Sequence, residues 1–90
     1  MDVRAHITVR GLVQGVGYRY FVYYNAGQLG LNGFVRNQPS GRVEVVVQGN
    51  RSIIEEFLKI IKVGPSMARV TDMAIEWQKP EEHFHEFTIQ

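Results

Sequence analysis

Ninety residues, 44% of them hydrophobic and 21% charged, suffice for one domain with a single core between two layers of secondary structure. A formal net charge of +1 gives no strong pull toward nucleic acid or an anionic membrane. The absence of cysteine excludes disulfides, thiolate catalysis and Cys-built zinc or iron–sulfur sites.

Residues 3–9 alternate, with Val3, Ala5, Ile7 and Val9 on one side and Arg4, His6 and Thr8 on the other, the period of a half-buried strand. Glycines at 11, 15 and 17 then mark a loop. Residues 19–29 place Val22, Ala26 and Leu29 at helical spacing, and Gly30 is suited to end that helix. Residues 33–37 and 42–48 read as short strands joined by Gln38-Pro39-Ser40-Gly41, which is hairpin-turn chemistry. In the second of them Val43, Val45 and Val47 point one way; the other side, Glu44, Val46 and Gln48, is polar except for Val46.

The second helix carries an apolar stripe of Ile54, Phe57, Leu58 and Ile61. It starts at a Ser52/Glu55 capping box, with Asn50 as the other candidate cap, and stops at Gly64-Pro65. Residues 70–78 form a strand with Met73, Ile75 and Trp77 on one side, Trp77 serving as a core anchor. After Lys79-Pro80, residues 84–89 can make a short last strand. This order predicts an α+β, ferredoxin-like βαββαβ sandwich over residues 1–90, an antiparallel sheet with both helices on one face.

The residues that carry chemistry lie in the connection Gly11-Leu12-Val13-Gln14-Gly15-Val16-Gly17-Tyr18-Arg19. A strand-to-helix loop of this kind offers successive backbone N–H groups and the positive end of a helix dipole, and glycines let a ligand come close. The spacing is neither G-x-G-x-x-G nor G-x-x-x-x-G-K-[ST], so nothing points to a nucleotide. By spacing alone the glycines could serve only a tight connection.

Arg19 adds to that. A cation in the first helical turn opposes the macrodipole, at a cost of a few tenths to about 1 kcal/mol. A bound anion reverses the sign, and the guanidinium matches phosphate oxygens in geometry; the plainer alternative is a solvated surface Arg. Asn37, at the end of a strand beside a turn, either bonds local backbone or orients a water, since an amide is no useful base. His83 and His85 would share one face of the last strand but lack any zinc spacing, so no metal is expected. Ser40 and Ser66 lack a nucleophile context, and Glu55-Glu56 fits a solvated helix face.

The segment from Gly11 to Arg19 resembles the first signature of the acylphosphatases, G-x-V-Q-G-V-x-[FY]-R. Gly33-Phe34-Val35-Arg36-Asn37, with Gly41, Val43 and Gly49, is similar to the second, and Gly64-Pro65 with Ala68 and Val70 resembles the family's entry into its fourth strand. The resemblance implies metal-independent hydrolysis of the carboxyl–phosphate bond of acyl phosphates. It implies that the phosphate rests on the backbone of Gln14, Gly15, Val16, Gly17, Tyr18 and Arg19, that Arg19 binds its oxygens, and that Asn37 positions the attacking water. Tyr18 stands where Phe is more usual, and Ser40 where the family often has Asp.

The expected partner is therefore a small-molecule acyl phosphate, with inorganic phosphate or sulfate as competing anions and no cofactor. Two other readings share the fold. An RNA-binding module would need aromatics on its third strand, where residues 42–48 carry none and include Glu44. A ligand-sensing or maturation module would bind phosphate without hydrolysis. No apolar run reaches the roughly 18 residues of a membrane span, and the first ten residues have no apolar signal core. The expectation is a cytoplasmic monomer.

Overall fold

The computed structural model of the chain describes residues 2–81 and 83–90. The elements are β1 (Asp2–Leu12), α1 (Tyr18–Gln28), β2 (Asn32–Asn37), β3 (Val43–Asn50), α2 (Arg51–Val63), β4 (Arg69–Gln78) and β5 (Phe87–Ile89). They form one sheet in the order β4-β1-β3-β2-β5. β1 pairs antiparallel with β3 and β4, and β2 pairs antiparallel with β3, which is the ferredoxin-like arrangement read from the sequence.

The last strand departs from a wholly antiparallel sheet, because β5 runs parallel to β2. The reason lies in chain direction. β4 opposes β1 and so opposes β2 as well; a chain that leaves β4, crosses at that end of the sheet and turns back must run with β2. β1 also extends to Leu12, past the expected end, through an irregularity between Arg10 and Gly11.

One face of the sheet holds the core. Ala5, Ile7 and Val9 of β1, Val35 of β2 and Val43, Val45 and Val47 of β3 are fully buried. So are Val22 and Ala26 of α1 and Ile54, Phe57 and Ile61 of α2. The expected stripe of α2 is thus the buried one. Its cap is Asn50, whose Oδ1 accepts from the backbone N–H groups of Ser52 (3.0 Å) and Ile53 (3.4 Å), while the Ser52 hydroxyl donates to the same oxygen. α1 ends in a Schellman turn, Leu31 N–H to Ala26 O at 2.9 Å and Gly30 N–H to Gly27 O at 3.1 Å, with Gly30 at φ 69°.

The opposite face is more covered than its sequence suggests. Glu44, Val46 and Gln48 are buried, because β3 lies in the centre of the sheet and its neighbours fold polar groups over it. Arg4 donates to Gln48 (3.2 Å), His6 Nε2 lies 2.7 Å from Glu44 Oε2, and Arg36 donates to Glu44 Oε1. Burial pushes the Glu44 carboxyl up, yet the His6 and Arg36 hydrogen bonds, with the Arg36 charge, outweigh it and hold the group below its usual range. Phe84, between β4 and β5, packs edge-on against Phe34 at 6.1 Å and lies beneath Arg4.

β4 is an edge strand, so Trp77 meets the core without being fully buried in it. Ile75 is exposed, and Trp77 is half-buried, packed against the core with the Arg51 guanidinium over its outer side, 4.0 Å from the ring centre. Among the described residues no helix is long and apolar enough to cross a membrane.

Candidate active site

The loop after β1 takes its shape from two glycines. Gly15 has φ 74° and Gly17 has φ 78°, and among the described residues none other than glycine has positive φ. Left-handed residues on either side of an ordinary one turn successive N–H groups toward the same side, the concavity that holds anions. A Cβ at either glycine would meet nothing within 4 Å, so the dihedral angle demands glycine here and the space above the loop is open.

α1 starts without help from its own sequence. Gly17 occupies the N-cap in the left-handed region, no side chain among the described residues caps the helix, and its first turn holds no acidic residue. The helix ladder opens with Phe21 N–H to Gly17 O at 3.1 Å. Among the described residues, no backbone acceptor outside the helices and strands serves the N–H groups of Gly15 through Tyr20. Unpaired donors and the positive dipole end therefore coincide at one spot.

Two side chains fix that spot. Tyr18 is 1% exposed and donates its hydroxyl to the Ile61 carbonyl at 2.8 Å, in the last turn of α2, where helical carbonyls lack partners. Burial pushes its phenol well above the usual value, so it stays a neutral donor that ties the start of α1 to the end of α2. Arg19 is half-buried and donates through Nη1 to the backbone oxygen of Gln90 at 2.8 Å. Gly15, Gly17, Tyr18 and Arg19 share a cleft of about 200 Å³, whose other walls include Tyr20 and Ile89.

Asn37 does not line that cleft. It ends β2, opposite Val43, and lies in the wall of a second, larger hollow with Gln38, Pro39, Ser40, Arg36 and Arg42. Strand alternation puts its side chain on the face of Val35, the side on which the helices pack. Its Oδ1 is buried and has no hydrogen-bond partner among the described residues. Leaving a buried acceptor unpaired costs about 1–3 kcal/mol, so stability does not account for it.

Gln14 joins the two places. Its Nε2 donates to the carbonyls of Gln38 and Arg42, each at 2.8 Å, the same two residues that close the β2–β3 turn through Gln38 N–H to Arg42 O. Sequence reasoning included Gln14 for its backbone and did not anticipate the work of its side chain. The Gln90 oxygen on Arg19 carried no sequence signal either, since it arises from the pairing of β5 beside β2. Val16 packs against the core. His83 and His85 are exposed and precede β5 instead of sharing a strand face, and no three His, Asp or Glu side chains converge among the described residues.

The family model described as Acylphosphatase matches residues 5–89. An acylphosphatase of Trichormus variabilis is 51% identical over 79 residues, covering 88% of this chain and 78% of that protein. The crystal structure of acylphosphatase from Bacillus subtilis superposes with a TM-score of 0.95 at 36% identity, covering 98% of both chains. The structure of T. kodakarensis HypF also matches, with a TM-score of 0.86 and 32% identity over 98% of this chain but only 12% of that much longer protein.

Proposed function

The chain belongs to the acylphosphatase family and is an acyl phosphate hydrolase, and we propose that the loop at the start of α1, Arg19 and Asn37 perform the reaction. The observation that carries the assignment is the uncapped, acid-free start of α1, where left-handed glycines at 15 and 17 gather N–H groups beside an arginine.

In this reading the phosphate accepts from the N–H groups between Gly15 and Arg19 and from the Arg19 guanidinium. Catalysis then consists of placement and charge stabilisation around a loose transition state. Asn37 Oδ1 accepts from the attacking water and aims its oxygen at phosphorus. The water oxygen forms the new P–O bond as the phosphorus–acyl oxygen bond breaks, and its electron pair leaves with the carboxylate. The conjugate acid of that leaving group has a pKa of about 4–5, so no general acid is required. The proton lost by water passes to a phosphate oxygen, which becomes inorganic phosphate.

Gln14 acts at one remove, holding the turn that carries Asn37 against the loop that carries the phosphate. The same reading takes residues 1–90 to work as one domain and one chain at a time, with phosphate and sulfate as competing anions. The test is release of phosphate from acetyl phosphate with a chelator present. Turnover that persists supports the scheme. Turnover that returns only on adding a divalent ion overturns it, and phosphate binding without turnover would instead favour the ligand-sensing alternative.

A further inference from the structure

We propose that the acyl half of the substrate lies on an apolar strip formed by Tyr20, Tyr23, Tyr24 and Ile89, which makes the enzyme selective for acyl phosphates with extended or aromatic acyl groups. The proposal rests on the reading of the α1 loop as the phosphate site.

Isolated exposed apolar side chains need no explanation, but contiguous ones do. Tyr20 is 62% exposed, Tyr24 52% and Tyr23 41%, and Tyr20 packs against the other two rings with centroids 6.1 and 6.4 Å apart. Positions i, i+3 and i+4 place them in one band along the outer face of α1. The band begins at the phosphate loop, because Tyr20 and the 41%-exposed Ile89 wall the same cleft as Gly15, Gly17 and Arg19. It runs on to a hollow of about 410 Å³ at the far end of α1, lined by Tyr23, Tyr24, Leu31 and Phe87 among others.

Reaction geometry sends the acyl group this way. In-line displacement sets the attacking water and the leaving oxygen on opposite sides of phosphorus. Asn37 and the β2–β3 turn supply the water side, and they take no part in the cleft wall that holds Tyr20 and Ile89. The acyl half therefore leaves over the tyrosines. Among the described residues Arg19 is the one charged side chain lining that cleft, which offers an anionic acyl group no second partner. Arg36 and Arg42 stand at the other hollow.

The test is kcat/KM for acetyl, butanoyl, hexanoyl, benzoyl and succinyl phosphates. A fully buried methylene is worth about a fourfold gain, and a one-sided strip gives less, so hexanoyl phosphate should exceed acetyl phosphate by about tenfold. In Tyr20→Ala that ratio should fall close to one, and Tyr20→Leu should restore it for hexanoyl more than for benzoyl phosphate. Tyr20 is exposed, so both variants should keep the wild-type melting temperature, which is to be measured alongside. Hydrolysis of acetyl phosphate with a flat series overturns the strip alone. A preference for succinyl phosphate overturns it in favour of the Arg36–Arg42 side. Failure to hydrolyse any of the five removes the phosphate-site reading beneath it.

Discussion

The two helices of this small fold begin in opposite ways. At α2, Asn50 folds back over the first turn and its side chain accepts from Ser52 and Ile53 N–H groups, the usual way a sequence makes a helix start stable. At α1 a left-handed glycine fills the cap position, no side chain returns, and an arginine sits where the dipole disfavours it. One start serves the fold. The other leaves its donors open, for an anion in the proposed reading, and the fold holds it in place from outside, through Tyr18 on Ile61 and Gln14 on the β2–β3 turn.

The largest test of this contrast is Arg19→Ala. Removing a donor aimed at transition-state charge costs about 10²–10³-fold, so kcat/KM for acetyl phosphate should fall at least that far, and competitive inhibition by inorganic phosphate should weaken with it. Because Arg19 opposes the dipole, the melting temperature without phosphate should not drop by more than a degree or two (about 0.3 kcal/mol). A large loss of stability with intact phosphate inhibition would make Arg19 a structural residue and erase the distinction between the two helix starts.

Next comes Asn37→Ala, expected to lower kcat by about 10²-fold while leaving phosphate inhibition within about threefold, as befits a group that orients the water and not the phosphate. Its Oδ1 is buried without a partner, so the variant should melt no lower than the wild type. Loss of phosphate inhibition in parallel with kcat would assign Asn37 to binding instead.

Gln14→Glu should have a smaller effect, about tenfold in kcat. The carboxylate keeps the shape of the amide but turns acceptor oxygens toward the carbonyls of Gln38 and Arg42, pushing the turn from the loop. KM should move less than kcat, because the phosphate loop itself is untouched. Gln14→Ala, which removes the clamp without repulsion, should fall between wild type and Glu.

Much of this could be read from the chain because it is local. Alternation in β1, turn residues between β2 and β3, the stripe of α2 and the glycines of the α1 loop all speak through neighbours in sequence. Both residues proposed for the chemistry, Arg19 and Asn37, were legible through motif and position. What escaped depends on distant partners. The direction of β5 follows from strand order, and the burial of Glu44 and Gln48 from the central place of β3. Trp77 does pack against the core, but its place on the edge strand leaves it half-buried, which alternation alone does not reveal. The Gln14 side chain bonds a turn 24 residues on, and Tyr20 and Ile89 meet only at the cleft.

The smallest effect isolates the stable start from the open one. Asn50→Ala removes the acceptor over two N–H groups of α2 and should cost about 1 kcal/mol, a drop in melting temperature of about 4–8 °C for a domain this size. Activity at a temperature where the variant remains folded should be unchanged, since the Tyr18–Ile61 bond that ties α2 to the start of α1 lies at the other end of α2. Inorganic phosphate sharpens the comparison. At about ten times its dissociation constant, a ligand of the native state adds about 1.4 kcal/mol. Asn50→Ala should therefore regain with phosphate as much melting temperature as the wild type gains, whereas Arg19→Ala should gain little. If phosphate stabilised the Arg19 variant as much as the other two, its binding would lie away from the start of α1, and the open helix end would need another explanation.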